Sequence, residues 1–196
     1  MTIIEIENMK YPIGKRKYNG SLSPAELAAC LNDIETLPVK LRKEVENLSQ
    51  EQLDTPYRPG GWTVRQVVHH FADSHMNAFI RHKLCITENN PTIKPYMENL
   101  WAMQSDVEKV SIASSLMILE GVHLRWSVLL ESLNESDFAK TFVHPEHNKI
   151  FKLEESIGQY AWHGNHHLEH IKQAKKFKGV FNFKWNQPIT KKKTLK

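Results

Sequence analysis

The chain has 196 residues, of which 40% are hydrophobic and 24% are charged. This length fits one domain, and the composition is that of a globular protein with enough apolar material for a core. No segment reaches the roughly 20 apolar residues of a membrane helix, and residues 1–17 lack the apolar block of a secretory signal. The two cysteines, Cys30 and Cys85, form no CxxC pair and no disulfide framework. We therefore expect a soluble protein of the reducing cytoplasm.

The formal net charge of +4 is concentrated at the C-terminal end of the chain. Four lysines there have no acidic neighbour, and without them the chain is formally neutral. They are Lys191, Lys192, Lys193 and Lys196. A basic end on a neutral body is typical of a solvated tail, whereas nucleic-acid-binding proteins concentrate charge on a folded face. The sequence therefore predicts neither a nucleic-acid partner nor a membrane partner.

The first predicted helix follows an irregular N-terminal segment. Residues 1–22 lack helical periodicity, and we expect an extended arm that lies over the body. Ser23-Pro24-Ala25-Glu26 has the serine cap, the early proline and the glutamate at the third position that typically begin a helix. This helix is predicted to run to about Leu48 and to bend at Pro38, because a proline removes one backbone hydrogen bond.

The second predicted helix begins after a loop. Residues 56–61 contain two prolines and two glycines and cannot continue a helix. Thr63 then opens a Thr-x-x-Gln capping pattern, and helical residues continue to about Thr87. Two further prolines break the chain, so residues 97–109 should have only local structure. A third helix is predicted from Ile112 to Leu133, capped by Ser111.

The remaining segments complete the predicted fold. Residues 141–143 and 150–152 flank a polar turn, which indicates a small hairpin. The last helix should span about residues 154–177 and end at Gly179. Four amphipathic helices of about 20 residues or more predict an all-α four-helix bundle with a long crossover connection. The predicted domains are the arm (1–22), the metal-binding bundle (23–180) and a basic tail (181–196).

The chain contains 11 histidines, and the densest group lies in the last predicted helix. Its members are His163, His166, His167 and His170. At about 100° per residue, all four fall within about 100° of one another on the helix surface. Two of the possible pairs are one turn apart, as two ligands of one metal ion need to be. The apolar face lies nearer to His163 and His167, so we interpret these two as ligands and the outer pair as rim or supporting residues.

A third ligand must come from another helix, because a catalytic zinc usually has three protein ligands and one open position. The candidates are His69, His70, His75 and His82 on the second predicted helix and His123 on the third. The apolar face of the second helix favours His75 and His82 as inward residues and does not select His70. Periodicity alone leaves the third ligand open, and a histidine-rich surface without a metal is the alternative.

One long segment has a family resemblance. Residues 56–77, PYRPGGWTVRQVVHHFADSHMN, resemble the signature of the YfiT-type metal-dependent hydrolases, which belong to the DinB-like superfamily of four-helix bundles. The resemblance includes the YPIG run at residues 11–14, His123-x-Arg125-Trp126, and residues 162–171. It covers about residues 11–179, and the chain departs from the pattern only in its lysine-rich end.

The resemblance implies a specific site and assembly. The first metal histidine of the family stands just before the Phe-Ala-Asp run, which is His70 in this chain. The other two form a His-x-x-x-His pair that corresponds to His163 and His167. The resemblance also implies a homodimer located in the cytoplasm.

Three histidines around one divalent ion per subunit suggest hydrolytic chemistry. Zinc is the expected ion and nickel is also compatible, since both bind imidazole. Such an ion activates bound water near neutral pH, so we expect a metal-dependent hydrolase acting on a small molecule. The pattern is not HExxH, and no general base is evident. His75, His123, His166 and Asp73 are candidates for proton carriers or for residues that support the ligands.

Two other functions fit the same residues. A metal-dependent transferase of a low-molecular-weight thiol would use the metal to favour the thiolate, and it would need no general base. A non-catalytic, metal-stabilised binding module would have a closed site with four protein ligands. Only three ligands are evident, which counts against the binding module. The sequence does not identify the substrate.

Overall fold

The computed structural model describes residues 3–18 and 20–177. These residues form helices, one two-stranded antiparallel hairpin and a 3₁₀ turn at Pro145–His147. In chain order the elements are α1 (Ile3–Lys10), α2 (Pro24–Val45), α3 (Gln50–Leu53), α4 (Val64–Thr87), α5 (Glu98–Trp101), α6 (Ser105–Lys109), α7 (Ile112–Glu131), α8 (Glu135–Phe138), β1 (Thr141–His144), β2 (Lys149–Lys152) and α9 (Leu153–Phe177). No helix among them is long and apolar enough to cross a membrane.

Helices α2, α4, α7 and α9 form the predicted four-helix bundle. Helix α2 packs against α7 and α9, and α4 packs against the same two helices. Helix α2 therefore lies diagonal to α4, and α7 lies diagonal to α9. Consecutive bundle helices are neighbours only between α4 and α7, which the long connection over residues 88–111 joins.

Side-chain contacts give the helix directions. His69 of α4 contacts Ser115 of α7, and further along both helices His82 contacts Trp126. Helices α4 and α7 therefore run parallel, and the connection between them must return along the length of the bundle, as predicted. By the same comparison α4 and α9 run antiparallel. This arrangement places the middle of α9 beside the middle of α4.

The helix starts agree with the sequence prediction. Ser23 and Thr63 each accept a hydrogen bond from the backbone N–H three residues later, and the side chains of Glu26 and Gln66 return the bond. These reciprocal bonds satisfy backbone donors that a helix start leaves without partners. Helix α2 ends at Val45 rather than near residue 48, and α7 ends at residue 131 rather than 133. The predicted end at residue 179 and the lysine-rich tail lie outside the described residues.

The N-terminal segment differs from the predicted extended arm. Residues 3–10 form helix α1, although their sequence has no clear amphipathic pattern. Contacts with α9 account for this helix: the carbonyl of Met9 accepts a hydrogen bond from Gln173, and the carbonyl of Lys10 contacts His170. Further along, Arg16 donates to the carbonyl of Glu155 at 2.7 Å. The segment thus lies along α9 as expected, but its first part is helical because tertiary contacts override weak local preference.

A layer of histidines divides the core. One apolar cluster includes Leu41, Phe71, Leu119 and Leu168. The other includes Ile34, Ala78, Trp126, Leu153 and Ile157. His75, His123 and His163 lie between these clusters along α4, α7 and α9, respectively. The middle of the bundle is therefore polar, and its polar groups need partners inside the protein.

Candidate metal centre

Three histidines converge at the contact between α4 and α9. His70, His163 and His167 each offer a ring nitrogen, and these nitrogens all lie within 4.8 Å of one another. Nε2 of His70 is 3.1 Å from Nε2 of His163. In the part of the chain that the structure describes, no other group of three histidine, cysteine or acidic side chains converges in this way. We call these three residues the histidine cluster; they are the three that the family resemblance implied.

The packing of α9 explains how the cluster forms. His163 and His167 are one turn apart and therefore present their rings on the same face. Gly164 lies between them at a close approach of α9 to α2: a Cβ there would be 2.8 Å from Cδ2 of Leu37. A glycine costs a helix about 1 kcal/mol relative to alanine. The close contact with α2 accounts for its presence in the middle of this helix.

Aromatic rings surround the cluster. The ring of Trp62 lies 4.8 Å from that of His70 and stacks on that of His167 at 6.2 Å. The ring of Phe71 lies 5.8 Å from that of His167 on another side. These contacts restrict the rotation of the imidazoles and limit the number of waters that reach them. The cluster is thus held in place by packing as well as by hydrogen bonds.

A chain of hydrogen bonds connects His163 to a backbone carbonyl. Nδ1 of His163 lies 3.2 Å from Nε2 of His75, and Nδ1 of His75 lies 2.9 Å from Nε2 of His123. Nδ1 of His123 lies 2.5 Å from the carbonyl oxygen of Ile34. We call these contacts the Ile34 relay.

The carbonyl determines the direction of every bond in the Ile34 relay. A carbonyl only accepts, so His123 must donate from Nδ1, and its Nε2 is then an acceptor when the ring is neutral. His75 must therefore donate to His123, and His163 must donate from Nδ1 to His75. This leaves Nε2 of His163 unprotonated and directed at the cluster. Fixing a ligand histidine through its other nitrogen is a common way of preparing it for a metal.

His167 has a second relay of the same kind. Its Nδ1 lies 3.2 Å from Nδ1 of His170, and Nε2 of His170 lies 3.2 Å from the carbonyl oxygen of Lys10. Because this carbonyl accepts from His170, Nδ1 of His170 must accept from His167. The Lys10 relay therefore leaves Nε2 of His167 unprotonated. Two separate backbone carbonyls, one from α2 and one from α1, prepare two nitrogens of one cluster.

The interior of the bundle keeps the cluster uncharged. Desolvation lowers the pKa of His70 to about 4. Desolvation and then the neighbouring histidines keep the pKa values of His163 and His167 well below the ordinary value. Near pH 7 the three rings are neutral nitrogen donors, and no carboxylate of the described residues hydrogen bonds to them. Such a donor set suits zinc or nickel and not magnesium or calcium, which require oxygen ligands.

The other candidates for the third ligand face elsewhere. His69 contacts the hydroxyl of Ser115 at 2.8 Å on the α7 side of the bundle. His75 and His82 are fully buried, as the apolar face predicted. Neither belongs to the cluster, because both ring nitrogens of each are engaged in other hydrogen bonds. Helix periodicity identified buried histidines but did not distinguish those with a free nitrogen.

The outer pair on α9 does not form a rim. His166 and His170 are only 7% and 1% exposed, because α1 and the loop before α4 cover that side of α9. His170 stacks on Tyr57, with ring centroids 3.8 Å apart. His166 stacks on Trp162, and its buried Nδ1 has no hydrogen-bond partner among the described residues. Of this pair, His170 makes the supporting contact to the cluster, through His167, which is one of the two roles that the sequence analysis gave to the outer pair.

A cavity of about 680 Å³ gives access to the cluster. Its lining includes all three cluster histidines, His166, and aromatic side chains from several elements. Asp73 does not line it; burial and then the nearby Asp106 raise the pKa of Asp73 to about 6. The sequence analysis missed Ser74 and Arg81, which line the cavity on α4. The sequence did contain a pattern that indicates them, because the spacing of His70, Ser74 and Arg81 puts these polar residues on one face of α4.

Comparison with known proteins identifies the family of this chain. The sequence profile of the DinB superfamily matches residues 33–171. A protein of Bacillus mycoides (strain KBAB4) named "Putative metal-dependent hydrolase" is 51% identical over 166 residues, which cover 85% of this chain and 95% of the relative. A protein of Bacillus cereus (strain 03BB102) with the same name is 50% identical over 171 residues, covering 87% and 98%.

A solved structure has the same architecture. YfiT from Bacillus subtilis, described as a probable metal-dependent hydrolase with an unusual four-helix bundle topology, is 44% identical to this chain. The two structures align with a TM-score of 0.85 over 88% of this chain and 98% of YfiT. The resemblance inferred from residues 56–77 is therefore confirmed, and the relatives' names together with the histidine cluster indicate dependence on a metal.

Proposed function

The chain belongs to the DinB superfamily, and we propose that it is a hydrolase with one divalent metal, zinc, held by His70, His163 and His167. The observation that carries this proposal is the convergence of the three ring nitrogens within 4.8 Å. The two relays add to it, because they leave unprotonated nitrogens directed at the same point. Three protein ligands also leave a coordination position open.

The residues around the cluster have separate roles in this proposal. A zinc ion bound by three histidines acts as a Lewis acid and lowers the pKa of coordinated water to about 7. Trp62 and Phe71 keep the imidazoles in place and reduce the local water content. Burial lowers the pKa of His166 to about 4, so this residue of the cavity wall is a neutral imidazole near pH 7.

A thiol transferase is the second candidate, and one observation favours it. No carboxylate of the described residues hydrogen bonds to the cluster, so no acidic general base is held directly against the three histidines, although Glu98 and Glu146 line the same cavity. A thiol bound to the metal would lose its proton on binding and would not need such a base. The hydrolase and the transferase use the same ligands and differ in the nucleophile.

We propose a cytoplasmic homodimer, and α7 offers a surface for it. Met117, Leu124 and Val128 are between 62% and 72% exposed and are spaced along one face of that helix. Burial of such an apolar row against a second copy would remove it from water. Sedimentation at micromolar concentration would measure the subunit number directly.

The test of the proposed function begins with metal binding. Wild-type protein should retain one zinc per chain after dialysis, by elemental analysis. His163→Ala and His167→Ala should each lose stoichiometric zinc, because two ligands bind a metal far more weakly than three. Arg125→Gln, which changes an exposed residue of α7, is the matched control and should retain it. Full zinc retention in either histidine variant would refute the ligand assignment.

The reaction is tested with two substrate sets. Zinc-loaded wild-type protein receives a panel of carboxylic esters and, separately, a low-molecular-weight thiol with an alkylating electrophile. The hydrolase proposal expects zinc-dependent cleavage of at least one ester, lost in His163→Ala and kept in Arg125→Gln. Thioether formation without ester cleavage would replace the hydrolase with the transferase.

A further inference from the structure

Arg81 is a buried cation on the wall of the cavity. Its side chain is 9% exposed, and it extends from α4 between α9 and the connection after α4. One terminal nitrogen donates to the hydroxyl of Tyr160 at 3.2 Å, and the other donates to the carbonyl of Lys94 at 2.8 Å. The buried Nε has no hydrogen-bond partner among the described residues.

The charge of Arg81 has no anionic partner in the described part of the chain. None of the ion pairs found there includes Arg81, and its two acceptors, Tyr160 and Lys94, offer a neutral hydroxyl and a neutral carbonyl. A buried charge is costly unless it is paired, and a guanidinium has five N–H donors to satisfy. If Arg81 served only to fill space, an uncharged side chain would do so without the free-energy cost of a buried, unpaired charge. The missing partner is therefore expected to come from outside the chain.

Arg81 and the histidine cluster share the cavity. Tyr160, which accepts from Arg81, lies one turn before His163 on α9, about 4.5 Å along the helix axis. The ring centroids of Tyr160 and His163 are 5.9 Å apart. A small molecule with one end at the cluster can thus reach Arg81 with its other end. Ser74 and Tyr96 also line this part of the cavity.

We propose that Arg81 binds a carboxylate of the substrate, so that the enzyme acts on small carboxylic acids whose second functional group reaches the histidine cluster. The inference rests on the proposed function for the placement of the reacting group, whereas the anion site itself rests on Arg81. Arginine matches a carboxylate well, because its planar fork gives two parallel hydrogen bonds to the two oxygens. Each terminal nitrogen of Arg81 has a second N–H beside the one that it donates to Tyr160 or Lys94, and the Nε–H has no partner among the described residues.

A carboxylate fits this end of the cavity better than a phosphate. One guanidinium supplies one positive charge, which a single carboxylate balances, whereas a phosphate monoester carries nearly two negative charges near pH 7. The other cationic side chains on the cavity wall, Lys10 and Arg58, lie at the opposite end, beside Tyr57 and His170. They are thus not placed to share the anion that Arg81 binds.

Calorimetric titration with dicarboxylates tests the proposal without requiring turnover. Zinc-loaded wild-type protein is titrated with succinate, glutarate and adipate, in which one carboxylate can face the cluster and the other Arg81. We expect at least one of them to bind, and Arg81→Gln to weaken its affinity by at least tenfold. Arg125→Gln removes an equal charge from the surface of α7 and should stay within twofold of wild type. Inorganic phosphate should bind more weakly than the best dicarboxylate.

The outcomes separate this inference from the proposed function. Arg81→Lys keeps the positive charge but loses the planar fork of N–H donors. It is the second variant if Arg81→Gln does not fold, and its loss of dicarboxylate affinity in the same titration is expected to be smaller than the tenfold loss expected for Arg81→Gln. Equal dicarboxylate binding by wild type and a folded Arg81 variant would overturn the carboxylate site even if esters are cleaved. Tighter binding of phosphate through Arg81 would also overturn it. Arg81-dependent binding of a dicarboxylate without ester cleavage would support the carboxylate site at Arg81 and contradict the proposed hydrolase activity.

Discussion

Two buried histidine sites lie on α4, and they differ in whether a ring nitrogen is left free. At His82, both nitrogens have partners: Nε2 lies 2.8 Å from the hydroxyl of Ser156, and Nδ1 accepts from Nε1 of Trp126 at 3.1 Å. Because the tryptophan can only donate, His82 carries its proton on Nε2 and has no lone pair to offer. Its site is closed by the protein itself.

The histidine cluster has the opposite character. His163 uses Nδ1 in the Ile34 relay, and its Nε2 faces the Nε2 of His70 at 3.1 Å. Burial and pKa do not separate the two sites, since desolvation lowers the pKa of His82 to about 3 and that of His70 to about 4. What separates them is the unprotonated nitrogen directed towards other nitrogens. A buried histidine thus indicates a metal site only when its hydrogen-bond partners leave one lone pair unused.

The largest expected effect concerns the closed site. His82→Ala should lower the free energy of unfolding of the metal-free protein by about 3 kcal/mol, because it leaves a cavity and removes the partners of Trp126 and Ser156. It should leave the zinc content at one per chain. Urea denaturation and elemental analysis on the same preparation measure both quantities.

His70→Ala is the matched variant at the cluster. It should lose zinc while the metal-free protein loses less than about 1 kcal/mol, because the ring faces the cavity and its Nε2 has only another histidine as partner. The comparison fails if His82→Ala loses zinc while remaining folded. It also fails if both variants lose the same free energy of unfolding.

The sequence predicted the fold well because its signals are local. Capping residues such as Ser23 and Thr63 act within three positions, and amphipathic periodicity shows which face of each helix is buried. Helix α1 was missed, because it depends on contacts with α9 from the other end of the chain. A segment whose conformation depends only on contacts with residues distant in the sequence has no local sequence pattern that predicts it.

The site was only partly accessible from the sequence. Spacing on α9 indicated His163 and His167, but the choice of His70 needed the family resemblance, because the direction of one helix relative to another is not visible in a helical wheel. Arg81 was overlooked although its spacing from His70 and Ser74 puts it on the same face of α4. The relays could not be predicted at all, since each ends at a backbone carbonyl, and a carbonyl is present at every residue.

The Lys10 relay gives the second expected effect. His170→Phe keeps a ring that can stack on Tyr57 but offers no acceptor to Nδ1 of His167, so zinc affinity should fall by about 10- to 100-fold. His170→Asn places a carbonyl oxygen near the position of Nδ1 and should recover most of the affinity. Competition with a chromophoric chelator measures both variants.

The pair of variants at residue 170 distinguishes hydrogen bonding from packing. If His170 acted only by packing, both variants would lose zinc affinity to the same degree, or His170→Asn would lose more because it lacks the ring. Equal zinc affinity in wild type and His170→Phe would show that the Lys10 relay does not prepare His167.

The smallest expected effect concerns Asp73, a half-buried ionisable group on α4 that does not line the cavity. Burial and Asp106 raise the pKa of Asp73 to about 6, above the value near 3.9 of an unfolded chain. The folded state is therefore penalised when this carboxylate is charged, and the penalty grows as the pH rises from about 4 to 6. Asp73→Asn should stabilise the metal-free protein by about 1 kcal/mol at pH 7.5, after allowance for solvent screening, and by nothing at pH 4. Asp106→Asn should give a smaller gain, and urea denaturation at both pH values measures each variant. A loss of stability in Asp73→Asn at pH 7.5 would show that the carboxylate of Asp73 makes a stabilising contact and is not an unpaired, half-buried charge.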